Sequence, residues 1–267
     1  MCPVRVVRGG MARVEADRFG IPGYTNATYG DSFADVYDEW YADLGDHDFV
    51  DALVRHLPEG PARVLELGVG TGRLLSRLAG TRGGIDGLTG VDTSEQMLAR
   101  ARLVPELVST DLLVHDFSDE LPAGPFDVVF CGYNTLFNLP DHSSITNALR
   151  LARNVLPVDG FLLIDAFVPS ADGPNDDVSV RSVTVDSVVL SVSRHDKGAQ
   201  RITGQFVEME QGKPLVLRPW SVRYMTPDQL DAAAGAAGLR LVSRHENGNG
   251  TPFSDGSRRH VSVYSPA

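Results

Sequence analysis

The chain is poor in cysteine and lysine, and no long apolar run interrupts it. Cys2 and Cys131 are its only cysteines. Two such residues cannot build the disulfide framework of a small secreted domain, and their spacing matches no zinc motif. Cys131 closes an apolar run and reads as a small buried side chain. The 24 basic residues, all arginine apart from Lys197 and Lys213, are outnumbered by 35 acidic ones, for a net charge of −11. A chain so acidic repels a phosphate backbone, so no nucleic-acid partner is expected. No apolar run approaches the ~20 residues of a membrane span. Residues 1–10 hold Arg5 and Arg8 but no apolar signal segment. The expectation is a cytoplasmic protein with no membrane partner. No clustering of His, Cys, Asp and Glu suggests a metal site, and none is expected.

What the chain does have is glycine concentrated at one point. Val64-Leu65-Glu66-Leu67 is a short apolar run broken only by Glu66, and Gly68, Gly70 and Gly72 follow at alternate positions. Leu74, Leu75 and Leu78 then recur at helical spacing. The pattern reads strand, tight turn, helix. Glycines there permit positive φ and let a ligand approach the main chain, while the new helix points unpaired N–H groups above the turn. A dinucleotide turn needs G-x-G-x-x-G, whose third glycine would fall on Arg73. The observed pattern is E-x-G-x-G-x-G. Gly90-Val91-Asp92 follows, placing an acidic residue twenty positions past Gly72, at the end of the next strand. There a carboxylate can accept hydrogen bonds from ribose hydroxyls.

Along the chain, residues 1–28 read as an irregular N-terminal segment. Ser32 is a plausible N-cap for a helix carrying Phe33, Val36, Tyr37, Trp40, Tyr41 and Leu44. A second helix is expected over 48–57. Strands are expected over 62–67, 87–92, 107–115, 126–131 and 161–167, separated by helices over 71–79, from Ser94, and over 141–156. This alternation predicts an α/β fold with a doubly wound, Rossmann-like parallel sheet. After Pro169 the pattern changes to three β-like runs over 180–193, 201–209 and 215–224, an antiparallel three-stranded insert after strand five. A helix opened by Thr226-Pro227-Asp228 and strands over 239–244 and 260–264 return to the sheet. The expected organisation is a core of 29–169 and 225–267, with 170–224 as an inserted cover or dimerisation element.

Taken together, residues 29–264 resemble the class I S-adenosylmethionine (SAM) methyltransferases acting on small molecules. Within that class the chain is most similar to the deoxyamino-sugar N,N-dimethyltransferases of natural-product biosynthesis. The glycine turn, the 29–38 segment with Tyr29 and Tyr37 eight apart, and Cys131-Gly132-Tyr133-Asn134-Thr135-Leu136-Phe137-Asn138-Leu139 carry the likeness. It implies a seven-stranded sheet whose last strand is antiparallel, SAM as cofactor with S-adenosylhomocysteine (SAH) as product, and a homodimer through the inserted sheet. It also implies roles. Glu66, Gly68 and Gly70 line the methionine part, Asp92 holds the ribose, and Thr93, Met97 and Phe117 flank the adenine. Asp116 takes the adenine amino group, Cys131 and Tyr133 border the sulfonium, and Tyr29 and Tyr37 close over the cofactor. Where the amino-sugar enzymes carry a histidine after strand four, this chain has Asn138, which cannot act as a base. His142, four residues on, could substitute.

The expected activity is methyl transfer to an amine or hydroxyl of a small, sugar-containing molecule, with Tyr29, Asn138 and His142 at the catalytic centre. Such a displacement needs orientation and desolvation, and a base only if the acceptor arrives protonated. An alternative is a SAM-binding protein that transfers no methyl group, because cofactor motifs report binding alone. Removing the insert is expected to spare much of the SAM binding.

Overall fold

The computed structural model describes residues 18–81, 85–170 and 174–267. Cys2 and the rest of residues 1–17 of the irregular segment, and 171–173 at the head of the insert, lie outside the described residues. The helices are α1 (Thr28–Phe33), α2 (Tyr37–Trp40), α3 (His47–Arg55), α4 (Arg73–Thr81), α5 (Glu95–Ala101), α6 (His142–Val155) and α7 (Pro227–Ala236). The strands are β1 (Ala62–Leu67), β2 (Ile85–Asp92), β3 (Asp111–Val114), β4 (Val128–Cys131), β5 (Phe161–Phe167), β6 (Asp176–Val183), β7 (Ser187–Asp196), β8 (Arg201–Glu210), β9 (Val216–Arg223), β10 (Leu239–His245) and β11 (Arg259–Pro266).

Seven strands form one sheet in the order β10-β11-β5-β4-β1-β2-β3. Pairing from β3 through β5 is parallel, and β11 runs antiparallel to both of its neighbours. The central strands are apolar on both faces because helices cover both. Alternation divides them cleanly. Leu65, Val129, Leu162 and Ile164 pack with Ile145 and Leu149 of α6 and Leu230 and Ala234 of α7. Val64, Val128, Phe130 and Leu163 pack with Phe49 and Leu53 of α3, Leu74, Leu75 and Leu78 of α4, and Leu98 of α5. Each fully buried side chain of this kind contributes roughly 1.5–3 kcal/mol. Glu66 has the parity of Val64 and therefore points its carboxylate into the α3–α4 side.

Helix starts follow their caps. The Ser94 hydroxyl accepts from Met97 N, and the Asp141 carboxylate caps α6 through Ser144 N at 2.8 Å. Thr226 and Gln229 form a capping box with Pro227 in the first turn of α7. Ser32 is not a cap. The Thr28 hydroxyl accepts from Thr25 N at 2.8 Å, and the chain enters α1 there, so Ser32 falls inside the helix. The expected single helix breaks into α1 and α2. The third strand is shorter than expected, because Pro105 starts a 3-10 turn over Pro105–Leu107.

The insert has four strands, not three, in the order β6-β7-β8-β9. The 180–193 run turns back on itself at 184–186. Thr184 Oγ1 accepts from Ser187 N at 3.0 Å and bonds Asp186 at 2.7 Å, a side-chain-closed turn that periodicity alone does not reveal.

A polar cluster lies under the antiparallel edge. Asp231 receives a two-pronged contact from Arg244 and the Tyr264 hydroxyl at 2.7 Å. His260 beside it is fully buried; Nδ1 pairs with Ser262 Oγ at 2.8 Å and Nε2 has no partner. Burial, with the Arg244 charge adding to it, lowers the imidazole from 6.5 to about 4. The unfolded chain therefore takes up a proton on His260 between pH 6.5 and about 4 that the folded chain refuses. Stability must fall as pH drops through that window, by about 3 kcal/mol from this group. Urea titrations of wild type and His260→Asn at pH 7 and 4.5 should show the variant losing less stability; equal losses would contradict the assignment.

Candidate active site

A cleft opens at the carboxyl ends of β1, β2 and β3, where parallel sheets of this kind bind ligands. Its floor is the glycine turn. Gly68 N and Val69 N donate to Val91 O at 2.8 and 3.0 Å, which fastens the turn to β2. Gly68 has φ 71°, and a Cβ there would overlap the Thr135 methyl group. Gly70 has φ 56° with open space where a Cβ would point, so its backbone faces the cleft unshielded.

Asp92 is anchored in the cleft by main-chain amides. Its Oδ2 accepts from Gly70 N and its Oδ1 from Ser94 N, both at 2.9 Å. Burial still raises its carboxyl above the ordinary range, against the pull of those N–H groups. The wall beside it is Thr93 and Met97, with Phe117 and Asp116 from the segment after β3. Asp116 Oδ1 accepts from Ser118 N and Oγ at 2.8 and 2.7 Å, and its Oδ2 accepts from Asn26 Nδ2. The far wall is the 3-10 turn after β4, with Thr135, Asn138 and Leu139.

The roof comes from the N-terminal segment, through Tyr24, Asn26, Tyr29, Gly30 and Tyr37. Tyr29 and Tyr37 keep one face on the cleft and are otherwise walled in. Burial is the main reason both phenols are raised, that of Tyr37 to about 12. Both are therefore neutral hydroxyls at physiological pH. Gly30 lets α1 sit directly on Ser94, where a Cβ would collide.

Ten of the fourteen sequence-predicted site residues thus share one cleft: Tyr29, Tyr37, Gly68, Gly70, Asp92, Thr93, Met97, Asp116, Phe117 and Asn138. Glu66, Cys131, Tyr133 and His142 do not line it. Glu66 is buried behind the turn with Oε2 unpartnered, and burial raises its carboxyl well above the usual range while the Arg73 charge opposes. Cys131 is buried in the core, which pushes its thiol up. His142 Nε2 bonds the Tyr224 carbonyl at 3.0 Å, which places the proton on that nitrogen. Tyr24, Asn26, Gly30, Thr135 and Leu139 line the cleft without having been singled out; Tyr24 and Asn26 sit in an irregular stretch where no periodicity marks them.

Tyr133 instead supports the wall. It and Asn134 take left-handed backbone angles, φ 48° and 66°. Its ring lies between two guanidiniums, Arg73 at 4.6 Å and Arg259 at 5.5 Å. Arg259 in turn pairs with the buried Asp165 through two contacts of 2.6 and 3.0 Å, and Asp165 Oδ2 accepts from Tyr133 N at 3.3 Å. Asn134 Oδ1 accepts from Phe167 N at 2.6 Å. These bonds hold the turn that carries Thr135 and Asn138.

The floor suits an adenosyl group: an exposed glycine backbone, a ribose-type acceptor in Asp92, and an apolar slot between Met97 and Phe117 ending at a carboxylate. Comparison with known proteins agrees. A methyltransferase-domain family model matches residues 64–160. The CcbJ methyltransferase from Streptomyces caelestis is 33 % identical and superposes with a TM-score of 0.83 over 91 % of this chain and 100 % of its own. SAM-bound CalS10, an amino pentose methyltransferase from Micromonospora echinaspora involved in calicheamicin biosynthesis, is 21 % identical, with a TM-score of 0.68 over 87 % of this chain and 97 % of its own, a likeness of fold. A curated Geobacillus sp. (strain WCH70) protein with a methyltransferase name is 31 % identical over 132 residues, 48 % of this chain and 50 % of that protein, so the chain spans about half of that relative's length. The chain belongs to the SAM-dependent methyltransferases.

Arg259→Met should destabilise the fold by about 3–5 kcal/mol, because it leaves the Asp165 carboxylate buried without its charge partner. Chemical denaturation at pH 7 measures this, and a loss under about 1 kcal/mol would contradict the supporting role.

Proposed function

We propose that the chain transfers a methyl group from SAM to an amine or hydroxyl of a small, sugar-containing natural-product intermediate in the cytoplasm. The observation that supports this best is the roofed cleft itself, in which a glycine backbone, Asp92, two neutral tyrosine hydroxyls and Asn138 converge. The likeness to CcbJ supports methyl transfer, and the shared fold with an amino pentose methyltransferase suggests the acceptor class.

SAM supplies an activated methyl group on a sulfonium leaving group. The residues divide the remaining work. Gly68 and Gly70 present main chain to the methionine part, with Glu66 as a buried charge behind them. Asp92 accepts from the ribose hydroxyls, and Thr93, Met97 and Phe117 enclose the adenine, whose amino group meets Asp116. Tyr29 and Tyr37 exclude water and give the acceptor fixed hydroxyl partners. Asn138 orients the acceptor from the opposite wall through its amide. Cys131 and Tyr133 act from behind the sulfonium side, by filling the core and holding the turn. His142 bonds the Tyr224 carbonyl through Nε2 and does not line the cleft, which argues against its acting as the base. An amine acceptor that enters as the neutral nucleophile needs only orientation and desolvation, its proton passing to solvent after transfer, whereas a hydroxyl would need a base.

The insert leaves an apolar face toward solvent. Strand register puts Val178, Val180, Leu190, Val192, Val207 and Leu217 on that face, and Val178, Val180 and Leu217 are largely exposed. Two such faces meeting would form a homodimer.

Two measurements test this reading. In turnover of a sugar-amine panel with SAM, Tyr29→Phe and Asn138→Ala should lower kcat/KM by roughly ten-fold or more, while His142→Ala changes kcat by under about five-fold. A loss of ~10²-fold in kcat for His142→Ala would instead make it the base. In sedimentation velocity the wild type should run as a dimer and Val180→Asp/Leu217→Asp as a monomer; a monomeric wild type would remove the dimer.

A further inference from the structure

The roof of the cleft is fastened on two sides. Toward the core, Thr93 Oγ1 donates to Asn26 O at 2.9 Å, Ser94 Oγ to Asp31 Oδ1 at 2.6 Å and Thr71 Oγ1 to Asp38 Oδ1 at 2.6 Å. Toward the insert, the contacts are larger and partly charged. Phe33 is fully buried and meets Phe206 of β8 at 5.7 Å, and Trp40 meets the same ring at 5.4 Å. Arg181 of β6 lies over Trp40 at 4.5 Å and donates to its carbonyl at 2.6 Å.

The centre of this contact is Arg218 of β9. Its side chain is 6 % exposed. It forks onto Asp35 at 2.6 and 2.9 Å, donates to the Ser32 carbonyl, and is held in place by Glu208 at 3.0 and 3.2 Å. Ser32 is in the last turn of α1 and Asp35 in the link to α2, both between Tyr29 and Tyr37. A buried guanidinium with two carboxylates is a rigid fork that sets orientation as well as energy.

We infer that Arg218 is a positioning residue for the cofactor: through Asp35 it clamps the joint of the roof, so the inserted sheet sets how long SAM or SAH stays bound. This rests on the methyltransferase reading and goes beyond it, because it gives the insert a part in cofactor retention in addition to covering the acceptor. It also reverses the expectation that the insert could be removed with cofactor binding spared. The Arg218 fork holds the Asp35 carboxyl below its ordinary range, as a formed ion pair requires.

The test uses the full chain and SAH as probe. Asp35 is 62 % exposed, so Asp35→Ala leaves Arg218 paired with Glu208 and the insert intact. Calorimetry should give a Kd for SAH about ten-fold weaker than wild type, with the dissociation rate in stopped flow raised by a similar factor. Arg218→Lys, which keeps the charge and loses the fork, should fall between the two. Asp176→Ala, which breaks the exposed Asp176–Arg194 pair elsewhere on the insert, should leave both values at wild type. The inference is overturned if Asp35→Ala stays within about two-fold of wild type, or if Asp176→Ala shifts SAH release as much. Failure of the wild type itself to bind SAH would overturn the cofactor reading and this inference with it.

Discussion

The turn after β1 depends on one constraint: Gly68, Gly70 and Gly72 must adopt left-handed backbone while the amides of Gly68, Val69 and Gly70 bond to β2. Gly68 N and Val69 N reach Val91 O, and Gly70 N reaches Asp92. Only glycine does this without strain, and the Thr135 methyl fills the space a Cβ at Gly68 would take. From that turn follow the start of α4, the exposed backbone of the cleft and the orientation of the Asp92 carboxylate. The far wall obeys a similar constraint by other means. Tyr133 and Asn134 accept positive φ because Arg73, Arg259 and Asp165 hold the ring and the amide from several sides.

The roof and the insert form a single device. Sequence order separates Asp35 from Arg218 by 183 residues, yet the ion pair joins them at the joint between two tyrosine-bearing helices. A small antiparallel sheet gains its stability from a packed hydrophobic face. Here Phe206 and Trp220 on one face of the sheet pack against Phe33 and Trp40 of the roof. Stability of the insert and closure of the cleft therefore draw on the same contacts.

Much of this was legible in the sequence because it is local. The glycine turn, Asp92 at the end of β2, the Ser94 and Thr226 caps and the run 161–167 each announce themselves within a few residues, and β1 and β5 fall where periodicity predicts. What was missed depends on distance along the chain. Ser32 looked like a cap because the Thr25–Thr28 contact that starts α1 earlier is invisible to periodicity. The 180–193 run looked continuous because Thr184 closes its turn with a side chain, without glycine or proline. Asn26 and Tyr24 carry no pattern of their own; only folding brings them over the cleft. His142 is near Asn138 in sequence, but its ring bonds the Tyr224 carbonyl, 82 residues away, and does not line the cleft.

We propose that this cleft holds the adenosyl cofactor by main chain and Asp92. A crystal structure of the protein with SAH tests it most directly. The ribose hydroxyls should lie within hydrogen-bond distance of Asp92, the adenine between Met97 and Phe117, and the homocysteine against Gly68 and Gly70 beneath Tyr29. SAH bound with its ribose away from Asp92, or outside this cleft altogether, would contradict it.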